Sequence, residues 1–202
     1  MPQLAIDSFK NIPGEENHLL NWIFENIQPY IKGRVLGINV TTNSIVPILI
    51  QHGISLHVSN SNESLRQSLF QQFQGLPAVK SIQNINFFCP EFKQLYPTHL
   101  GVFYTIISLN FTNNYSPIEI ENIKHCLRKN GRLIVVLPIE ITAFPGLELE
   151  ISQLRQHSKP QIIKLFSQFE VLKIRYFELT QAPTHSQTFS NLCFALVVAK
   201  SV

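Results

Sequence analysis

The sequence predicts an α/β fold, a Rossmann-like, doubly wound and mostly parallel sheet with helices on both faces. Three observations predict it. Short apolar runs of strand length alternate with amphipathic stretches of helical period along most of the chain. One of those runs, GVFYTIISL at 101–109, is apolar enough to be covered on both sides, as strands of parallel sheets are. The last two runs, 170–179 and 190–200, follow each other across a loop containing Pro183, so the alternation closes on two consecutive strands. Alternation of this kind packs as one sheet with crossover helices on its two faces.

The elements follow in order. Residues 1–14 lack an apolar stretch at their start and are read as an N-terminal extension. Residues 15–31, EENHLLNWIFENIQPYI, place Leu19, Leu20, Ile23, Phe24 and Ile27 on one helical stripe. Gly33 stops that helix, and GRVLGINV (33–40) is the first buried strand. A brief helix from Ser44 to Gln51 ends at Gly53, and ISLHVS (54–59) is the second strand. Residues 62–74 open on an Asn cap and repeat Leu65, Leu69 and Phe73 at helical spacing. INFF (85–88) reads as the third strand and 101–109 as the fourth. Residues 117–129 begin with Pro at the first turn and end in basic residues, as a helix dipole favours. Asn130-Gly131 turns the chain into RLIVVLP (132–138), a fifth strand, and 159–168 is a further helix.

Composition bounds the function. With 45% hydrophobic and 14% charged residues the chain is not of the disordered class, and 202 residues suit one domain, 15–202. The net charge of +3 is small and the basic residues are scattered in sequence, so no nucleic-acid partner is expected. No window approaches the roughly 20 apolar residues that cross a bilayer, so no membrane span is expected. Cys89, Cys126 and Cys193 are odd in number and far apart, and no signal-like stretch opens the chain. A cytoplasmic location is the expectation.

Specific residues then carry a resemblance. GRVLGINVTTNSI resembles the first motif of class I S-adenosylmethionine-dependent methyltransferases, in which a Gly-rich loop follows an acidic residue. FYTIISLNF (103–111) resembles their fourth motif, IEIENIKHCLRKNGRLIVVLP (118–138) the helix, turn and strand after it, and HSKPQIIKLFSQFEVLKIRYFEL (157–179) their late helix and sixth strand. The resemblance implies seven strands, the last antiparallel, and S-adenosylmethionine as cofactor.

The departures from the pattern fall on the cofactor contacts. The family has an acid at position 37 and glycines at 39, 41 and 43; this chain has Gly37, Asn39, Thr41 and Asn43. The acid at the end of the second strand falls on Ser59, the Asp after the third strand on Pro90, and the Asp after Phe103 on Tyr104. Asp7 is the only aspartate in the chain. The vestigial cofactor positions are therefore Gly37, Asn39, Thr41, Asn43, Ser59, Pro90 and Leu109, with Glu63 and Glu91 as carboxylates that could substitute.

Asn39 and Asn43 can adopt left-handed backbone geometry, whereas Thr41 is β-branched and fills space a ligand would take. Ser59 offers one hydroxyl where a carboxylate accepts from both ribose hydroxyls. Hydrogen bonds to a charged group contribute roughly 1.5–3 kcal/mol each, so losing two weakens binding by about two to four powers of ten. Glu63 at a helix start complements the dipole, and Glu91 reads as a solvated loop charge.

No other constellation stands out. His52 and His57 lack the further ligands of a metal set, and no metal is expected. Ser44 and Ser59 have no nucleophile-elbow context. Tyr104 and Trp22 read first as packing residues. No catalytic residue is assigned. The expectation is a catalytically degenerate methyltransferase-like protein without ordinary cofactor binding, serving as a non-catalytic partner of another protein, a scaffold or a small-molecule binder, with a homodimer as a further possibility. The alternative is an active methyltransferase on a small or lipid-like acceptor with atypical cofactor contacts.

Overall fold

The computed structural model describes residues 6–11, 16–41, 44–109, 115–138, 159–181 and 191–202. Its strands are β1 (Ile6–Asn11), β2 (Val35–Ile38), β3 (Leu56–Ser59), β4 (Val79–Gln83), β5 (Phe103–Ser108), β6 (Leu127–Pro138), β7 (Phe169–Gln181) and β8 (Asn191–Ser201). The helices between them are α1 (Glu16–Ile27), α2 (Val46–Gln51), α3 (Glu63–Phe73), α4 (Phe92–Leu95), α5 (Pro117–Cys126) and α6 (Lys159–Leu165).

All the strands join one sheet in the order β1-β7-β8-β6-β5-β2-β3-β4. Seven of them, β2 to β8, make the expected sheet: β8 runs antiparallel to both β6 and β7, and the ladders among β2 to β6 are parallel. The fold is that of the class I methyltransferases. The eighth strand, β1, lies inside the stretch read as an extension and pairs parallel with β7 at the sheet edge, Ile6 opposite Tyr176.

Two apolar layers cover the sheet. Leu36, Ile38, Phe92, Phe103, Ile123 and Phe166 belong to one, and Ile23, Phe24, Val35, Leu49, Val58 and Leu69 to the other. Neighbouring β2 residues divide between the layers because successive strand side chains point to opposite faces.

Several element boundaries differ from the sequence reading. The third strand is β4 at 79–83, not 85–88. Ile85 and Phe87 are buried and alternate with exposed neighbours, which imitates a strand. Their backbone instead turns, with Phe88 N–H donating to Asn86 Oδ1 at 3.0 Å, and the β3–β4 ladder stops at Gln83. The first helix gives way after Ile27 to a 3₁₀ turn at Gln28–Tyr30, where Pro29 brings no backbone N–H. The fifth strand of the reading starts earlier, at Leu127, and its register against β5 shifts between Phe103 and Thr105. Asn130 there takes a φ of 62°, so the expected Asn-Gly turn is a kink within β6.

Candidate functional site

In an open α/β sheet, ligands bind at the carboxyl ends of the strands, where the strand order reverses. Here the chain proceeds from β2 outward to β3 and β4, then returns to place β5 on the other side of β2. The crevice beyond β2 and β5 is therefore where a site belongs.

At that point lies a cavity of about 240 Å³. Gly37, Asn39, Thr41 and Leu109 line it, together with Leu20 of α1, Val40, Ser44, Ile45 and Leu49. The volume falls below the ~300–1,000 Å³ of ordinary small-molecule sites. Its walls are mostly aliphatic, and its polar side chains are Asn39, Thr41 and Ser44.

The loop after β2 explains the small size. Asn39 has a φ of 55°, the left-handed geometry predicted for it. That turn directs Val40 back over the strand, where it is buried. A Cβ on Gly37 would stand 2.9 Å from Val40 Cγ2. Val40 thus fills the space beside Gly37, the position at which the sequence reading expected an acid.

The same loop is tied to β3. Val40 N–H donates to Ser59 C=O at 3.4 Å, and Asn60 Nδ2 donates to Val40 C=O at 2.8 Å. Asn60 N–H in turn donates to Gln83 C=O at 3.2 Å, and Asn60 Oδ1 accepts from Asn62 N–H at 2.8 Å. Arg66 Nη1 donates to the carbonyls of Asn60 and Ser61. The ends of β2, β3 and β4 are stitched together, and Ser59 is only 1% exposed.

Glu63, Pro90 and Glu91 do not meet there. Glu63 starts α3 on its outer side and pairs with Arg66. Pro90 and Glu91 follow the turn beyond β4, and Glu91 accepts from the Cys89 thiol at 3.4 Å. Because β4 ends at Gln83, the residue directly after the third strand is Asn84 rather than Pro90. Asn43 lies outside the described residues. Tyr104 sits near the amino end of β5, away from the cavity, and its hydroxyl accepts from Arg128 Nη1 at 2.8 Å. Trp22 packs on Phe177 of β7, with ring centroids 5.4 Å apart.

The structure adds residues the sequence reading did not select. Ser116 caps α5, its hydroxyl accepting from Glu119 N–H at 3.2 Å. Glu119 itself is fully buried, and neither carboxyl oxygen has a hydrogen-bond partner. Asn39 Nδ2 is also buried without one. Burial pushes the Glu119 carboxyl up to about 7, held back by the nearby Ser116 backbone N–H and the Asn39 amide. Both lie close enough to favour the charged form, although neither closes a hydrogen bond of good geometry. Beside them Tyr115, also buried, donates to Ser108 C=O at 3.1 Å and bonds Ser108 Oγ at 2.5 Å. Burial holds the Tyr115 hydroxyl well above its ordinary range. The Ser-x-x-Glu spacing of 116–119 was a legible capping signature, but it does not say that the carboxyl turns inward.

A second polar cluster lies across β2, β3 and β4. Arg34 Nε–H donates to His57 Nε2 at 2.9 Å, and His57 Nδ1 meets Ser81 Oγ at 2.8 Å. Because Arg can only donate, Nε2 must accept, so the proton sits on Nδ1 and points to Ser81. This ring cannot take a proton from Ser81, so the arrangement is no nucleophile–base pair. Burial, then Arg34, lowers the His57 pKa. Among the described residues no three His, Cys, Asp or Glu side chains converge as a metal set. Nor is any helix among them long and apolar enough to cross a membrane.

Comparison with solved structures agrees on the fold. An S-adenosylmethionine-dependent methyltransferase from Methanosarcina mazei superposes with a TM-score of 0.63 at 16% identity, over 88% of this chain and 97% of that one. The (4+2)-cyclase SpnF gives 0.66 at 13% identity, over 92% and 80%. The CurJ carbon methyltransferase gives 0.59 at 13% identity, over 92% of this chain and 54% of that one. No family model matches the sequence, and no curated protein matches it.

Proposed function

We propose that this chain is a methyltransferase-fold protein that does not use S-adenosylmethionine and that its cleft serves small-molecule binding or association with a partner. One observation carries the reading. The loop after β2 is hydrogen-bonded to the end of β3 through Val40 and Asn60, which narrows the crevice in which a nucleoside would lie. The residues present do not fit that cofactor. Ser59 is buried and uncharged where ribose recognition calls for an exposed carboxylate. Val40 occupies the floor, and a Cβ beside it, as an acid at 37 needs, would collide with it.

The alternative, an active methyltransferase using Glu63 or Glu91 in place of the lost acids, has less support. Glu63 is engaged with Arg66 on the outside of α3, and Glu91 follows a turn well beyond β4. The fold itself does not require methyl transfer, since one similar structure is a (4+2)-cyclase.

Calorimetric titration with S-adenosylmethionine and S-adenosylhomocysteine tests the reading. No heat is expected up to millimolar ligand. Micromolar affinity for either overturns it.

A further inference from the structure

The cluster of Arg34, His57 and Ser81 gathers positive charge that no described acid balances. His57 stands opposite both Leu36 and Ser81 in the ladders, so these side chains share one face of the sheet. None of the cluster's side chains lines the cavity. They meet at the ring of Phe103, buried at the start of β5. Its centroid lies 5.4 Å from Arg34 Cζ, 5.7 Å from the His57 ring and 6.5 Å from the ring of His99. His99 closes the 3₁₀ turn at Pro97–His99 and is held by Gln83, Nε2 to Oε1 at 2.9 Å.

His57 feels the charges of Arg34, His99 and Lys80, and His99 feels that of Arg34. The ion pairs among the described residues lie elsewhere, at Arg66–Glu63, His125–Glu121 and Lys200–Glu170. Arg34 uses Nε–H on His57, and its Nη1 and Nη2 have no hydrogen-bond partner among the described residues. Because the neutral His57 ring donates to Ser81 Oγ through Nδ1–H, the Ser81 hydroxyl keeps its own proton to donate.

We propose that this cluster binds a tetrahedral oxyanion, the phosphate group of a small soluble molecule. The Arg34 fork offers two parallel donors of the kind that grip such a group bidentately. Ser81 supplies a further donor from another strand, which suits an anion with more than the two oxygens of a carboxylate. His57, His99 and Lys80 contribute charge rather than contact. Both imidazoles titrate low, from burial first and then from the charge of Arg34. An anion seated among them opposes that charge, so binding raises both values and strengthens as pH falls.

The first probe is sulfate, whose charge stays fixed through the histidine range. Imidazole NMR titrations of the full chain in sodium sulfate are compared with sodium chloride at equal ionic strength. Sulfate is expected to place His57 and His99 about 0.5 or more above their chloride values. An equal rise in chloride is salt screening and overturns the site. Arg34 is exposed, so Arg34→Gln should fold normally and abolish the difference; a difference that survives overturns the role of Arg34. Ser81→Ala is expected to weaken sulfate about two- to tenfold, and unchanged affinity removes Ser81 from the site. Acetate is expected to bind at least about threefold more weakly than sulfate, and equal binding overturns the preference for a tetrahedral anion. Methyl phosphate is expected to displace sulfate at about pH 6. Failure to do so overturns recognition of an esterified phosphate.

Discussion

Val40 Cγ2 lies 2.9 Å from the point at which a Cβ on Gly37 would stand, closer than packed carbon atoms approach. The two residues are thus complementary: glycine at 37 makes room for valine at 40, and valine closes the cavity floor. Gly37→Ala alone is expected to cost about 1–3 kcal/mol through overpacking. Paired with Val40→Ala, much of that cost is expected to vanish. A double-mutant cycle by denaturant unfolding reads the coupling, and strict additivity would show that the two side chains do not compete.

Asn60, directly after β3, joins the ends of β2 and β4 by two hydrogen bonds, Nδ2 to the Val40 carbonyl and its N–H to the Gln83 carbonyl. Asn60→Ala strands the Val40 carbonyl and frees the loop after β2. Stability is expected to fall by about 1–3 kcal/mol, and amide hydrogen exchange at Val40 and Thr41 to accelerate. Exchange as slow as in the parent would mean that the loop is held by other contacts.

Glu119 makes stability depend on pH. Its folded-state pKa, about 7, stands above the ordinary carboxyl value of 4.5 because of burial. The folded protein therefore binds the proton more tightly than the unfolded chain. That stabilising contribution is complete at low pH and is lost as pH rises from about 4.5 to about 7. Among the described residues the groups acting on the carboxyl are the Ser116 N–H and the Asn39 amide, with the Tyr115 hydroxyl close by. At about 1.4 kcal/mol per unit the loss is of the order of a few kcal/mol. Glu119→Gln is expected to flatten the curve across that interval, and an identical slope in both proteins would place the titration elsewhere.

His57 is expected to hold its proton on Nδ1, because Arg34 donates to Nε2. It should titrate below the usual 6.5, owing to burial and then Arg34. Stability from this neutral ring is present above 6.5 and is lost as pH falls through the depressed folded-state value. Nitrogen NMR of the imidazole distinguishes the tautomers. An Nε2–H ring would mean that the Arg34 contact does not form in solution.

Much of the fold was legible because apolar periodicity reports local geometry. The stripe through Leu19, Ile23 and Ile27 became the buried face of α1, and the run 103–108 became a strand covered on both faces. The strand predicted at 85–88 failed for a related reason. Ile85 and Phe87 alternate inward as strand residues do, yet alternation records burial and not ladder partners. The strand at 6–11 was missed because an edge strand needs little apolar pattern of its own.

The site was legible only at its rim. Gly37, Asn39, Thr41 and Leu109 do gather around one cavity, because a strand end and the loop after it are local in sequence. Glu63 and Glu91 were named as neighbours of Ser59 and Pro90, and Pro90 was counted from a third strand read at 85–88, whereas that strand lies at 79–83.

By itself the sequence determined the alternation of strands and helices and the core faces, and it set Gly37, Asn39, Thr41 and Ser59 where the resemblance leads one to expect acids and glycines. Those properties follow from residue type and short-range spacing. Only the tertiary structure decided that Val40 closes the floor beside Gly37, that Asn60 ties the strand ends together, and that Glu119 turns inward behind Asn39. Each of these is a contact between side chains or backbone brought together by sheet order. A polar side chain points where its distant neighbours leave room and partners, and nothing in its local sequence records where they are.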